Sequence, residues 1–183
     1  MATRPIVRLG HPALRTPAVA VEPSEIQGAE LQQLIDDMLE SMVESGGVGL
    51  AAPQLGIEHQ LFVYLAVDPD KAPEDAERRV LVNPMIEPVS GELVYDWEGC
   101  LSIPDLRGLV PRHPAVRVHG LDRDGARVDF RAEDYEARIV QHEYDHLNGV
   151  VFLDRMRDLR SLAFGAEWEE YMVVDAAEEA QVG

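Results

Sequence analysis

The sequence predicts a single α+β domain. Its short apolar runs have the character of strands, and they are followed by a strongly patterned helix without the regular strand–helix alternation of a parallel sheet. The length of 183 residues and the hydrophobic content of 46% are sufficient for one domain with a core. We therefore expect one domain over residues 1–183, with a C-terminal helix and an acidic tail at 157–183.

The first predicted helix follows an irregular, proline-rich stretch at residues 1–23. Ser24 is a suitable N-cap, and apolar residues then recur at intervals of three and four between Leu31 and Val43. This spacing places the apolar side chains on one face, which we expect to lie in the core. The adjacent glycines at 46–47 should end the helix.

Strands are predicted where apolar residues run together or alternate with polar ones. They fall at 61–66, at 80–82, around 116–118, and at 127–130 after a turn at Asp124-Gly125. The charged stretch at 68–79 contains two prolines and is expected to be a loop. Asn83-Pro84 should stop the strand that precedes it.

A second helix is predicted to begin near Glu133 or Asp134, because acidic side chains suit the positive end of a helix dipole, and to end at Gly149. The residues that lie on its core-facing side are Tyr135, Ile139, His142 and His146. We expect a short strand at 150–153, a surface helix from 157 to about 172, and a frayed tail at 175–183.

The second helix contains the pattern H-E-x-x-H at His142, Glu143 and His146. Residues four apart share a helix face, so both imidazoles can bind one metal ion, and Glu143 then lies beside that ion, where it can move protons. The alternative is that one histidine caps the helix and the other packs in the core. The pattern alone does not decide between these interpretations.

A catalytic metal site of this kind needs a third protein ligand. No histidine or cysteine follows His146, where acids such as Asp154 and Glu167 are available, but the single cysteine, Cys100, precedes it. Its thiolate would be a good ligand for zinc or iron(II). The alternative for a free cysteine is a small, buried apolar side chain.

A glycine-rich stretch at 47–54 is the third notable pattern. Its glycines allow close approach to the backbone, and Gln54 offers an amide donor. It is not a phosphate-binding loop, because no Gly-Lys-Ser/Thr follows. The alternative is an ordinary glycine turn after a helix.

Composition and charge argue against several classes of function. The formal net charge of −18 is unsuited to direct binding of DNA or RNA, since phosphate binding needs a basic surface. A single cysteine allows no internal disulfide, which is typical of a reducing compartment. The start lacks an apolar signal core, and no run approaches the roughly 18 apolar residues of a membrane span. We expect a soluble, cytoplasmic protein without a membrane partner.

Three blocks of the sequence, taken together and in order, resemble the bacterial-type peptide deformylases. They are G-V-G-L-A-A-P-Q at 47–54, E-G-C-L-S at 98–102 and Q-H-E-Y-D-H at 141–146. The resemblance extends from about residue 7 to residue 156. It implies antiparallel sheets packed around a central helix that carries a metal site, with Cys100, His142 and His146 as the ligands.

The resemblance also implies a reaction, the hydrolysis of the N-formyl group on the initiator methionine of newly made polypeptides. Glu143 would be the general base and then the general acid, and the metal would lower the pKa of its bound water. Gln54 and the backbone N–H of Leu101 would stabilise the developing oxyanion. The implied metal is Fe(II), replaceable by Zn(II), Ni(II) or Co(II), and iron beside a thiolate would make the enzyme sensitive to oxygen.

Further residues are candidates for contact with the substrate: Val48, Gly49, Glu98, Gly99, Arg107, Tyr135, Arg138 and Ile139. Core packing is the competing interpretation for Val48, Gly49, Tyr135 and Ile139. Glu98 could cap local backbone or shape the site, and Arg138 could be an ordinary solvated or ion-paired residue. Arg107 could touch the peptide backbone or lie on the surface.

The sequence departs from the family in two places. Many members end in a basic helix suited to the ribosome, whereas this chain has no lysine or arginine after Arg160, which argues against docking of its tail on ribosomal RNA during any transient ribosome association. Asp134 stands where many relatives have glycine, just before the second helix.

N-formylated nascent peptides are the expected partners.

Two competing functions remain open from the sequence. A general metallopeptidase would cleave unformylated peptides, and the lack of a downstream ligand argues against it. A non-catalytic binding protein with a structural metal would not need Glu143 and Gln54, both of which are present.

Overall fold

The computed structural model of the chain describes residues 3–66 and 76–173. Its helices are α1 (Ala29–Glu44), α2 (Asp134–Leu147), α3 (Phe152–Arg155) and α4 (Gly165–Glu167). Its strands are β1 (Gly49–Ala51), β2 (Leu61–Ala66), β3 (Glu77–Pro88), β4 (Val94–Cys100), β5 (Ile103–Arg112), β6 (Ala115–Leu121), β7 (Arg127–Glu133) and β8 (Ala163–Phe164). Short 3-10 helices occupy Pro12–Arg15, Ala52–Leu55 and Leu159–Ser161, and a π-helical turn occupies Trp168–Met172.

The strands form two antiparallel sheets. The larger sheet has the order β1-β2-β3-β6-β7, and the smaller one has the order β4-β5-β8. Every pairing between these strands is antiparallel. The predicted α+β class with antiparallel sheets is therefore confirmed.

The larger sheet divides the core between two helices. Leu61 and Val63 of β2 pack in one cluster with the apolar face of α1, whereas Phe62 and Tyr64 lie in another cluster with Ile139 of α2. Successive side chains of a strand point to opposite faces of its sheet. The apolar run at 61–66 is uninterrupted because both faces of this strand are buried.

The first helix has the predicted apolar face but begins later than predicted. It starts at Ala29 with Gly28 as its N-cap, so Ser24 does not cap it. The Gln32 side chain donates to the carbonyls of Ile26 (2.8 Å) and Arg123 (2.7 Å), which fixes the preceding turn against a distant loop. The helix ends before Gly46, whose φ of 66° lies in the left-handed region, as the glycine pair indicated.

The third strand is longer than predicted, because Asn83-Pro84 does not stop it. The register between β3 and β6 shifts between Val82 and Met85, and this irregularity accommodates the proline. Asn83 adopts a φ of 50°, and its side chain is hydrogen-bonded to both the N–H and the carbonyl of Val21 at 2.8 Å. The predicted loop at 68–79 is wrong for Glu77–Arg79, which belong to the strand, and 68–75 lie outside the described residues.

The region after α2 also differs from prediction. Residues 152–155 form α3 rather than a strand, because the Asp154 carboxylate accepts from the Val151 N–H at 2.9 Å and starts a helical turn. The single helix predicted from 157 is wrong up to residue 164, since β8 pairs there with β5. The predicted tail at 175–183 lies outside the described residues.

Among the helices in residues 3–66 and 76–173, none combines the length and the apolar character needed to span a bilayer.

The strand β6, the turn at Asp124-Gly125, and the return strand β7 are confirmed. Helix α2 begins at Asp134, as predicted, and ends before Gly149, which has a φ of 70°. Asp134 itself has a φ of 50°, a conformation that favours glycine. Aspartate adopts this region more readily than most side chains, so Asp134 fits the start of the helix.

Candidate active site

The three sequence blocks meet around one cavity of about 630 Å³. The glycine-rich block contributes Gly49 and Gln54, the end of β4 contributes Cys100, and α2 contributes His142 and Glu143. These side chains come from separate elements, so the cavity exists only in the folded chain.

The donor atoms of Cys100, His142 and His146 converge. They lie within 4.8 Å of one another, and all three residues are buried. The Cys100 Sγ and the His146 Nε2 are 3.3 Å apart. One thiol and two imidazoles at this separation could hold a single ion of zinc or iron(II).

Glu98 fixes the orientation of His142. Its Oε2 lies 2.9 Å from the His142 Nδ1, and because a carboxylate only accepts, the Nδ1–H must be the donor. In the neutral imidazole, the other nitrogen, Nε2, then carries no proton and is available to a metal. Such carboxylate–imidazole pairs fix the tautomer of metal-binding histidines.

Glu98 belongs to a buried chain of charges. Arg112 donates to both of its oxygens (2.9 and 3.0 Å), and Arg138 donates to its Oε1 (2.8 Å). Arg112 also donates to Asp145 at 2.6 Å, and Asp145 accepts from Arg155. We call these five residues, Arg138, Glu98, Arg112, Asp145 and Arg155, the charge chain.

The charge chain keeps Glu98 ionised. Burial alone would raise the pKa of Glu98, but hydrogen bonds from His142 and Arg112 outweigh it and hold the pKa well below its usual range. The sequence did not identify Arg112 or Asp145. Asp145 occupies a variable position of the H-E-x-x-H pattern, so the pattern does not indicate a role for it. No local sequence pattern marks Arg112 as part of the site.

The environment of His146 favours a neutral imidazole. Burial, reinforced by the nearby His142 and Arg112, lowers its pKa well below the usual value. A metal ligand must be unprotonated, so this environment suits coordination. The Nδ1 of His146 is buried and has no hydrogen-bond partner among residues 3–66 and 76–173.

Glu143 lies against the glycine block. A Cβ atom on Gly49 would be 2.3 Å from the Glu143 Oε1, so only glycine leaves room for this carboxylate. Burial raises the pKa of Glu143 to about 7. Its Oε2 is buried and has no hydrogen-bond partner in the described part of the chain. A carboxyl group with this pKa can both accept and donate a proton near neutral pH.

The side-chain amide of Gln54 has a defined orientation. Its Oε1 accepts from the Ala51 N–H at 2.8 Å, which directs the Nε2 toward the Cys100 Sγ (3.5 Å) and the Ser102 Oγ (3.4 Å). Leu101 occupies the tight turn between Cys100 and Ile103 and also lines the cavity. Gln54 therefore presents a hydrogen-bond donor beside the potential metal ligands.

All of the residues predicted to contact substrate line the cavity: Val48, Gly49, Glu98, Gly99, Arg107, Tyr135, Arg138 and Ile139. Arg138 is buried, and its N–H groups donate to Glu98 and to the carbonyls of Val110 (3.0 Å) and Val94 (2.9 Å). Tyr135 is half-exposed at the cavity mouth. Two tryptophans that the sequence did not assign to the site, Trp97 and Trp168, complete the wall.

Known sequences resemble this chain over most of its length. Residues 3–161 match the family model for polypeptide deformylase. Peptide deformylase 2 of Bordetella bronchiseptica is 46% identical over 161 residues, which cover 87% of this chain and 90% of that protein. Peptide deformylase 2 of Nostoc sp. is 42% identical over 168 residues, which cover 91% of this chain and 93% of that protein.

Solved structures agree with the fold. The Met-Ala-Ser-bound class I type b peptide deformylase from Acinetobacter baumannii has a TM-score of 0.77 and 39% identity, covering 85% of this chain and 99% of that one. A peptide deformylase from Synechococcus elongatus in complex with actinonin has a TM-score of 0.77 and 40% identity, covering 88% of this chain and 82% of that one. The sequence blocks, the geometry of the cavity and these relatives together show that the chain belongs to the polypeptide deformylase family.

Proposed function

We propose that this chain removes the N-formyl group from the N-terminal formylmethionine of newly made polypeptides and releases formate, with Glu143 as its general base and acid. Membership of the family makes it a hydrolase that acts on formylated peptides. The observation that carries the detailed proposal is the convergence of Glu143, Gln54 and three potential metal ligands at one buried site.

Cys100, His142 and His146 would hold the metal ion. When bound, the ion lowers the pKa of water and so supplies a nucleophile at neutral pH. Fe(II) is the proposed ion, and Zn(II), Ni(II) or Co(II) would fit the same donor set. Glu98 supports the site by holding the His142 Nδ1–H, which leaves Nε2 for the metal.

Glu143 would carry the proton through the reaction. Its carboxylate accepts a proton from the water that attacks the formyl carbon, and the protonated acid then gives that proton to the leaving nitrogen as the carbon–nitrogen bond breaks. The products are formate and a free amino terminus. Burial of this carboxyl raises its pKa, which makes the protonated form accessible for the second transfer.

Gln54 and Leu101 would stabilise the negative charge that develops on the formyl oxygen. The Gln54 Nε2 is directed toward Cys100 because its Oε1 is held by the Ala51 N–H. The backbone N–H of Leu101 is the second proposed donor. Donors fixed in advance are effective because they need no reorganisation during the reaction.

The remaining lining residues would bind the peptide. Val48, Gly49, Tyr135 and Ile139 would contact the methionine, while Gly99 and Arg107 would contact the following backbone. Arg138 and Glu98 would act through the shape of the cavity, since their hydrogen bonds go to the protein. The Acinetobacter relative with Met-Ala-Ser bound supports a peptide with this amino terminus. The proposed location is the cytoplasm, with nascent chains as the partners.

Formate release from formyl-Met-Ala-Ser by anaerobically purified protein tests the proposal, with bound metal quantified on the same sample. We expect turnover at about one iron per chain. Glu143→Ala should keep the metal and lose turnover, whereas Glu87→Ala, an exposed control, should retain both. A fully metallated wild-type protein that releases no formate would instead favour the binding-protein alternative.

A further inference from the structure

We infer that the outer edge of strand β7 (Arg127–Glu133) is an interface for a second copy of this chain. The β7 strand of the copy adds to the sheet in antiparallel orientation and in one defined register. The inference goes beyond the proposed function and does not depend on it, because none of residues 127–133 lines the cavity.

Strand β7 has a free edge. It is the last strand of the five-stranded sheet and pairs with β6 on its inner side. In the part of the chain that the structure describes, no strand pairs with its outer side. The backbone groups along such an edge can form hydrogen bonds with a strand from another molecule.

The pairing with β6 determines which backbone groups point outward. At the two ends of this pairing, the Asp122 N–H donates to the Ala126 carbonyl (2.9 Å) and the Asp134 N–H donates to the Pro114 carbonyl (2.8 Å). Hydrogen-bonded positions alternate along an antiparallel strand, and the register between β6 and β7 is continuous. The even-numbered residues of β7 therefore bond to β6, and the odd-numbered residues direct their N–H and C=O groups outward.

The side chains of these odd-numbered residues alternate in charge. They are Arg127, Asp129, Arg131 and Glu133, and all four are exposed. An antiparallel copy of β7 centred on Phe130 places Asp129 opposite Arg131. The same register places Arg127 opposite Glu133, and the twofold axis repeats both pairs. Opposite charges at directly opposed positions stabilise strand pairing, so the register that joins the outward backbone groups also gives complementary charges.

Other registers are less favourable. A shift by two residues in one direction places Asp129 opposite itself, and a shift by two in the other direction places Arg131 opposite itself. Like charges at directly opposed positions are destabilising. A shift by four residues retains opposite charges but halves the number of pairs. The sequence of β7 therefore favours one register over its neighbours.

The other face of β7 supports the same arrangement. Val128 and Phe130 point to that face and are only partly buried against the core. In the register centred on Phe130, this residue lies opposite Phe130 of the copy at a non-hydrogen-bonded position, where side chains of paired strands approach most closely. The second copy would therefore cover apolar surface that the single chain leaves exposed.

Charged residues on an edge strand can also serve to prevent pairing. A run of one sign would repel a second copy, whereas β7 carries two positive and two negative side chains and is locally neutral in a chain of net charge −18. Within the single chain, Arg131 already contacts Glu133 at 2.8 Å, but both side chains are more than half exposed. Exposed ion pairs contribute little, so exchanging this one for a pair with the copy costs little.

Sedimentation equilibrium of metal-loaded, full-length protein tests the inference, over micromolar to near-millimolar concentrations at an ionic strength of about 0.15 M. We expect the wild type to form a reversible dimer. Asp129→Arg should raise the dimer dissociation constant by about tenfold or more, because the symmetry places two arginine pairs in the interface. Glu92→Arg makes the same change of charge at an exposed position outside β7 and should dimerise at least as well as the wild type.

A mixture of two variants tests the register. Arg131→Asp alone should also dissociate, because Asp129 then faces an aspartate. When Asp129→Arg and Arg131→Asp are mixed in equal amounts, position 129 of each chain faces an opposite charge at position 131 of the other. The mixture should therefore dimerise as the wild type does, and urea unfolding of each variant alone shows that it is folded.

A wild type that stays monomeric at every concentration would overturn the inference. Dimerisation of Asp129→Arg with the wild-type dissociation constant would also overturn it, because the interface would then lie elsewhere. A mixture of folded variants that fails to dimerise would contradict the register. Formate release is not measured in this test, so its outcome is independent of the proposed function.

Discussion

The residue types that fit in the cavity are restricted by the available space as well as by their chemical roles. Gly49 is the sharpest case, because a methyl group at this position would occupy the space of the Glu143 carboxylate. The same strand position would tolerate alanine easily in an ordinary sheet. Glycine is required at position 49 because of the neighbouring Glu143 side chain and not because of its own backbone conformation.

Gly49→Ala should lower kcat while leaving bound metal near the wild-type level. The new Cβ would lie 2.3 Å from the Glu143 Oε1, so the carboxylate must move, and a displacement of about 1 Å in a reacting group can cost roughly a hundredfold in rate. Gly91→Ala is the control, because a Cβ there has nothing within 4 Å. Wild-type kcat in Gly49→Ala would show that the position of Glu143 is not critical.

Gln54→Glu tests the proposed oxyanion donor with almost no change in volume. The variant can still accept from the Ala51 N–H, but it replaces the donor amide with an oxygen. We expect kcat to fall by about 10²–10³, the usual effect of losing one such donor. Gln27→Glu, on the exposed surface, should behave as wild type. Equal formate release by both variants would remove Gln54 from the mechanism.

Between elements, the charge chain joins the smaller sheet to α2. Arg112 of β5 connects Glu98 of β4 with Asp145 of α2, and all three side chains are buried. Buried ion pairs are costly to break from one side, because the remaining charge loses part of its compensation while it stays buried. The charge chain thus fixes the relative positions of β4 and α2, which contribute the potential metal ligands.

Arg112→Met should destabilise the fold by about 3–5 kcal/mol, measured by urea unfolding, because Glu98 and Asp145 each lose a buried partner. Arg131→Met breaks an exposed pair with Glu133 and should cost only about 0–1 kcal/mol. Equal stability of the two variants would contradict the structural importance of the charge chain.

The elements that were predicted correctly are those that depend on residues close together in the sequence. The spacing of apolar residues in α1, the apolar run of β2 and the turn before β7 are all properties of neighbouring residues. The continuation of β3 past Pro84, and the pairing of β8 with β5, depend on partners distant in sequence. Local patterns could not have indicated either.

The same distinction applies to the site. The residues of the three blocks were found because each block has a recognisable order of residue types, and the cavity collects them as expected. Arg112, Asp145 and Trp168 acquire their significance only from side chains far along the chain. Glu98 was left between two interpretations because its partner His142 is 44 positions away.

At the scale of the whole molecule, the amino-terminal region is tied to the segment that follows α2. Arg15, near the amino terminus, forms an ion pair with Asp154 of α3, 139 positions later. Burial raises the pKa of Asp154, but Arg15 and the Val151 N–H outweigh it and hold the pKa below the ordinary value of 3.8. The depressed pKa means that ionised Asp154 stabilises the folded chain.

Asp154→Asn should therefore be less stable than the wild type at pH 6, and the difference should shrink in acid. A carboxyl with a depressed folded pKa contributes its full stabilisation above the unfolded pKa and loses it as the pH falls through the folded pKa. The relevant window lies below pH 3.8. Urea unfolding at pH 6 and at about pH 3 measures the change. A difference that grows in acid would contradict this assignment.

The separation of the site residues along the chain has a consequence for refolding. Gln54 and Cys100 are 46 positions apart, and Cys100 and His146 are again 46 positions apart. Contacts between such distant residues form late, because closing a long loop costs entropy before other native contacts have formed to compensate for it. Catalytic competence should consequently return with the slowest phase of refolding, so that recovered activity reports the completed tertiary structure and no earlier intermediate.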